Sequence, residues 1–141
     1  MHLIRLPLAL LLLFPLNLFA ADASALVRDG EAKLRAGDIE AAAAVLQEAV
    51  TLDPLSALAR LRLGGALLMQ QDYLAAIERF RETVRLDADN AAAFVGMAVA
   101  YLHSARYELA RAALEEAIRI DPAKRREAGP LLAYIERATR R

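Results

Sequence analysis

The chain has 141 residues, which suits one domain with a single core, and at 57% apolar residues it is too hydrophobic for a disordered segment. Eighteen basic side chains balance eighteen acidic ones, so the basic excess of a general nucleic-acid binder is missing. Cysteine is absent, which excludes disulfides, thiolate metal sites, a cysteine nucleophile and a lipid-modified cysteine.

The first element in chain order is a leader. Met1–Ala20 opens with His2 and Arg5, runs almost unbroken in apolar residues from Leu6 to Leu18, and closes on small residues. This three-part layout predicts a secretory signal peptide over residues 1–20, cleaved after Ala20, Ala21 or Ala23. The run falls short of the roughly 20 residues that a spanning helix needs, and Pro7 and Pro15 weaken it further. The expectation is an exported, periplasmic protein with no stable membrane insertion after cleavage. A tether formed by an uncleaved signal anchor is the alternative.

From Ala23 onward one grammar repeats every 34 residues. Laid over one another, residues 23–56, 57–90 and 91–124 place Gly30, Gly64 and Ala98 in the eighth column, and Ala42, Ala76 and Ala110 in the twentieth. Leu46, Phe80 and Leu114 share the twenty-fourth, Val50, Val84 and Ile118 the twenty-eighth, and Pro54, Ala88 and Pro122 the thirty-second. A fixed period of this length marks stacked supersecondary units, none able to bury its apolar face alone.

Each unit predicts a helix pair. Asp22, Ser56 and Asn90 stand before alanine-rich runs, and their side-chain oxygens suit the free amides of a first helical turn. Gly37-Asp38 and Gln71-Asp72 interrupt the pattern at mid-unit, with Asp38 and Asp72 placed to cap the second helix. The third unit has Ala105-Arg106 there, lacking both glycine and cap, and packing is expected to close its turn. The second helices are amphipathic, as Tyr73, Ile77, Phe80 and Val84 against Glu78, Arg81 and Arg85 illustrate. Asp53-Pro54 and Asp121-Pro122 end two of them.

The first helix of the second unit, Ala57–Met69, is apolar nearly all round, as the middle of a stack requires. Small residues at Gly64, Ala76, Ala98 and Ala110 let paired helices approach closely. Residues 125–141 are left for a C-terminal cap. The pattern breaks at Gly129-Pro130, and the segment from Leu131 predicts a short amphipathic helix over the last repeat. From Lys124 to Arg141 six bases meet only two acids, a local imbalance that reads either as an ordinary solvated helix end or as a hint of docking.

These columns resemble the tetratricopeptide repeat over three full units, 23–56, 57–90 and 91–124, with the cap beyond. Two departures stand out. The fourth column, often tryptophan in the family, holds Leu26, Arg60 and Phe94, and Ala88 replaces a proline. The resemblance implies an all-α fold: a right-handed solenoid of three helix–turn–helix repeats plus a C-terminal capping helix, its first helices lining a concave groove. It maps the groove to Ser24, Val27, Glu31, Leu34 and Arg35 in the first unit, and to Leu58, Leu61, Gly65, Leu68 and Met69 in the second. The third contributes Ala92, Val95, Val99, Leu102 and His103. Most of these are apolar. Family members that grip the C-terminal carboxylate of chaperones use lysine, arginine and asparagine at such places, and no comparable set is present.

Chemistry is not written in the residues. Beyond the leader the one histidine is His103, and neighbouring Ser104 points about 100° away on a helix, with no acid close by to orient the ring. Scattered carboxylates and one histidine make no metal site. The expectation is a non-enzymatic, cofactor-free module that holds another protein or peptide in its groove within a cell-envelope complex, without nucleic acid. A glutamate at Leu61 or Val95 should then stop partner capture and spare the fold. The alternative is a self-associating structural subunit, a homo-oligomer whose groove is filled by its own chain or a second copy.

Overall fold

The computed structural model describes residues 16–140. Most of the predicted leader, residues 1–15, lies outside the described residues. Seven helices follow in chain order: α1 (Leu16–Arg35), α2 (Ile39–Leu52), α3 (Ala57–Met69), α4 (Tyr73–Leu86), α5 (Ala91–His103), α6 (Tyr107–Ile120) and α7 (Arg125–Thr139). They pack as three antiparallel pairs, α1 with α2, α3 with α4 and α5 with α6, and α7 closes on α6. Contacts of α1 with α3 and of α3 with α5 set the first helices of the repeats side by side. The result is an all-α solenoid of three repeats and a cap.

Local chemistry fixes most helix ends. The Ala59 amide donates to Ser56 Oγ at 3.1 Å and the Ala93 amide to Asn90 Oδ1 at 3.1 Å. Asp38 and Asp72 accept from Ala41 and Ala75 at 3.3 and 3.2 Å, while Arg106 gives α6 no side-chain cap. Asp22 departs from the expectation. It lies inside α1, which begins at Leu16, because leucine and alanine upstream are good helix formers and extend the helix past the repeat boundary.

All three internal turns adopt one geometry despite their different sequences. Gly37, Gln71 and Ala105 sit in the left-handed region at φ 81°, 65° and 54°. In each, two backbone bonds reach back into the helix: Asp38 to Lys33 and Gly37 to Leu34, then Asp72 to Leu67 and Gln71 to Leu68, then Arg106 to Tyr101 and Ala105 to Leu102. This is the Schellman pattern, which satisfies carbonyls that the helix end would otherwise strand. Only the first turn has the glycine that makes such a φ free of strain.

Core packing explains the column of small residues. Phe80 is buried between α3 and α5, and a Cβ placed on Gly64 or Gly96 would meet its ring at 2.7 and 2.5 Å. Gly30 stands in the same relation to Leu46, at 2.5 Å. Arg60, in the column where the family often has tryptophan, is largely buried and reaches Glu82 at 3.1 Å, an oxygen that Arg79 also meets at 3.1 Å. A cross-helix ion cluster thus holds α3 to α4 where an aromatic contact is usual.

The capping helix is longer than its sequence pattern implies. A 3-10 turn at Pro122–Lys124, closed by Asp121 accepting from Ala123 at 3.0 Å, leads directly into α7, which runs unbroken through Gly129-Pro130. Gly129 has no Cβ to collide with the proline ring, and Pro130 and Arg126 are exposed, so the carbonyl deprived of its donor is left to water. Ala128 and Ile135, one helical face, are fully buried within the cluster that includes Leu114.

Candidate partner-binding groove

Because α1, α3 and α5 lie side by side, the sides they turn away from α2, α4 and α6 form a continuous trough. Its open part has a volume of about 360 Å3. Leu34 comes from α1, Leu61, Gly65, Leu68 and Met69 from α3, and Ala92, Val95 and Val99 from α5. All eight are positions that the family resemblance mapped to the groove. Arg62, Phe80, Gly96 and Glu127 also line it and were not mapped.

Each unmapped residue has a physical reason to be there. Phe80 belongs to α4, yet its ring reaches the trough floor because Gly64 and Gly96 leave room on either side. Glycine inside a helical pattern signals close approach, and that cue was available at Gly96. Arg62 faces the trough and pairs with Glu31, linking α3 to α1. Glu127 arrives from α7 and pairs with Lys124 at 3.1 Å. No local signal marks it, since its place depends on how the cap docks.

The remaining mapped residues are not gathered in the open trough. Val27 is only 5% exposed and packs with Leu46, Ala49, Val50 and Leu63. Leu102 is half-buried against the main core. Leu58, Arg35 and Ser24 are exposed outside the lining. His103 stacks on Tyr73, ring centroids 4.8 Å apart and planes within 3°. Val95 is a wall of the trough and also core, at 6% exposure beside Ala91 and Ala117. A glutamate there would bury a charge, which corrects the expectation that Val95→Glu spares the fold.

The trough is therefore apolar in its middle, with its charged lining residues already paired. Transfer of an apolar segment into it is favoured by about 25 cal/mol per Å2 removed from water. Ser104 donates its hydroxyl to the Ala100 carbonyl at 2.9 Å, so it is not aligned with His103. Among the described residues no three metal-ligating side chains cluster, and no helix is long and apolar enough to cross a membrane.

A stack of helix pairs with an apolar inner face defines a helical repeat scaffold. Two tetratricopeptide repeat models match residues 27–78 and 67–133, and the chain belongs to that family. No protein of curated function matches it significantly. Solved structures agree on the fold. The Arabidopsis OM64 TPR domain is similar at 18% identity, covering 84% of this chain and 98% of that one, with a TM-score of 0.81. The first TPR domain of Spaghetti (RPAP3), bound to an HSP90 peptide, is similar at 18% identity over 86% and 96% of the two chains, with a TM-score of 0.83. YrrB, a TPR protein with an unusual peptide-binding site, is similar at 26% identity over 72% and 52%, with a TM-score of 0.69.

Proposed function

We propose that this chain is a binding module that holds an apolar segment of a partner protein in its concave trough, as part of a complex in the cell envelope. The observation that carries the reading is the open trough itself. Leu34, Leu61, Leu68 and Val99 line it together with Gly65, where an added Cβ would meet nothing within 4 Å. Spaghetti's first TPR domain and YrrB bind peptides on the same fold, which supports a peptide or helix as the occupant. An acidic C-terminal peptide is not the best fit, because Arg62 is already paired with Glu31 and the centre offers no free cation. Placement in the envelope rests on the leader-like layout of Met1–Ala20 alone.

The test uses Gly65→Glu, whose Cβ would meet no neighbour within 4 Å and whose carboxylate would enter the trough. Pull-down from an envelope extract with the native chain should retain a partner that the variant loses, while both keep the same helical circular dichroism. Equal retention would mean that the trough is not the binding face. The mass of the protein recovered from cells tests the export reading, which expects a chain beginning at Ala21, Asp22 or Ser24.

A further inference from the structure

The last two helices form a second recess that shares no lining residue with the trough. Tyr107 at the start of α6, and Tyr134, Arg137 and Ala138 on one face of α7, line a cavity of about 340 Å3. The two phenol rings meet edge to face, with centroids 6.4 Å apart and planes at 61°. A hydrogen bond with the Tyr134 side chain, and then its charge, push the Tyr107 phenol above its ordinary pKa.

The lining of the recess carries a single charged side chain, Arg137. Arg137 pairs with no carboxylate among the described residues. The acids nearby are engaged elsewhere: Glu136 with Arg140, Glu108 with Arg111 at 3.8 Å, and Glu127 with Lys124 at 3.1 Å. Arg106, beside Tyr107, stands where Asp38 and Asp72 stand in the earlier repeats, so no internal carboxylate enters from that side.

We propose that the recess formed by Tyr107, Tyr134 and Arg137 binds a single carboxylate, the aspartate or glutamate side chain of a partner protein. A guanidinium presents forked donors that match a planar carboxylate and carries the one charge that it needs. One phenol hydroxyl of the pair adds a donor, and the ring faces pack against the methylenes of the incoming side chain. A dianionic phosphate would leave half its charge uncompensated. The basic excess of residues 124–141 draws acidic surfaces towards this end.

The test follows tyrosine-ring and arginine Nε–H NMR signals of the labelled full chain during titration with N-acetylglutamate amide, its glutamine counterpart and inorganic phosphate. Saturable shifts at Tyr107, Tyr134 and Arg137 are expected with the glutamate compound, with about tenfold weaker binding of the glutamine one. Arg137→Gln, at an exposed position where the fold is not at stake, should lose the response, while the methyl signals of Leu34 and Val99 in the trough stay still. Absence of saturable shifts, equal binding of the two amides, or an unchanged response in Arg137→Gln overturns the proposal. Tighter binding of phosphate overturns it as well. None of these outcomes bears on the trough.

Discussion

Gly64 and Gly65 are neighbours on α3 and share a residue type, yet they sit in opposite surroundings. A Cβ at Gly64 would come within 2.7 Å of Phe80, while one at Gly65 would meet nothing within 4 Å. The turn of about 100° between them separates the side that packs from the side that is free. The first helix of the second repeat, α3, has these two sides. On α3 packing dictates the residue at Gly64 and leaves the position of Gly65 unconstrained by neighbours.

Mutations can sharpen or break that contrast, beginning where the largest effect is expected. Phe80→Ala empties the space between Gly64 and Gly96 and should lower stability by about 3–5 kcal/mol in urea unfolding. Val95→Glu buries a charge at a wall that is also core and should cost on the order of 3 kcal/mol. Met69→Glu, on the same trough but 56% exposed, should move stability by less than about 0.5 kcal/mol. If both glutamates are equally harmful, or equally harmless, the division of the trough into core wall and free rim is wrong.

Smaller effects test the turns. Asp72→Ala removes the acceptor of the Ala75 amide and should cost about 1 kcal/mol by thermal unfolding. Ala105→Gly should raise stability by up to about 1 kcal/mol, because alanine at φ 54° is strained and glycine is not. A fall in stability there would mean that alanine's lower unfolded-state entropy outweighs the strain.

Much of this architecture was legible because its determinants are short-range and periodic. Gly64 announced a close approach, and Ser56, Asn90, Asp38 and Asp72 announced helix starts that the hydrogen bonds display. Failures came where one position obeys two rules. Asp22 is a good cap residue, but it follows residues that favour helix, and α1 continues through it. Gly129-Pro130 reads as a break, yet at an exposed site near the start of α7 the lost hydrogen bond is borne by water.

The groove map had a different weakness. A column average assigns Val27 and Leu102 to the groove, whereas burial depends on which neighbours a particular repeat has. Val27 has Leu63 of the next repeat against it, and Leu102 packs on the main core. Phe80 and Glu127 enter from elements that the map does not consider.

Thermal unfolding of Gly64→Ala and Gly65→Ala, measured side by side, tests the two-sided helix most directly. Gly64→Ala should melt lower by several degrees, as a clash with Phe80 worth about 1–3 kcal/mol requires. Gly65→Ala should melt no lower than the parent, and higher by as much as the helix propensity of alanine, about 1 kcal/mol, allows. Equal losses in the two variants would contradict the claim that one side of α3 is packed and the other stands open.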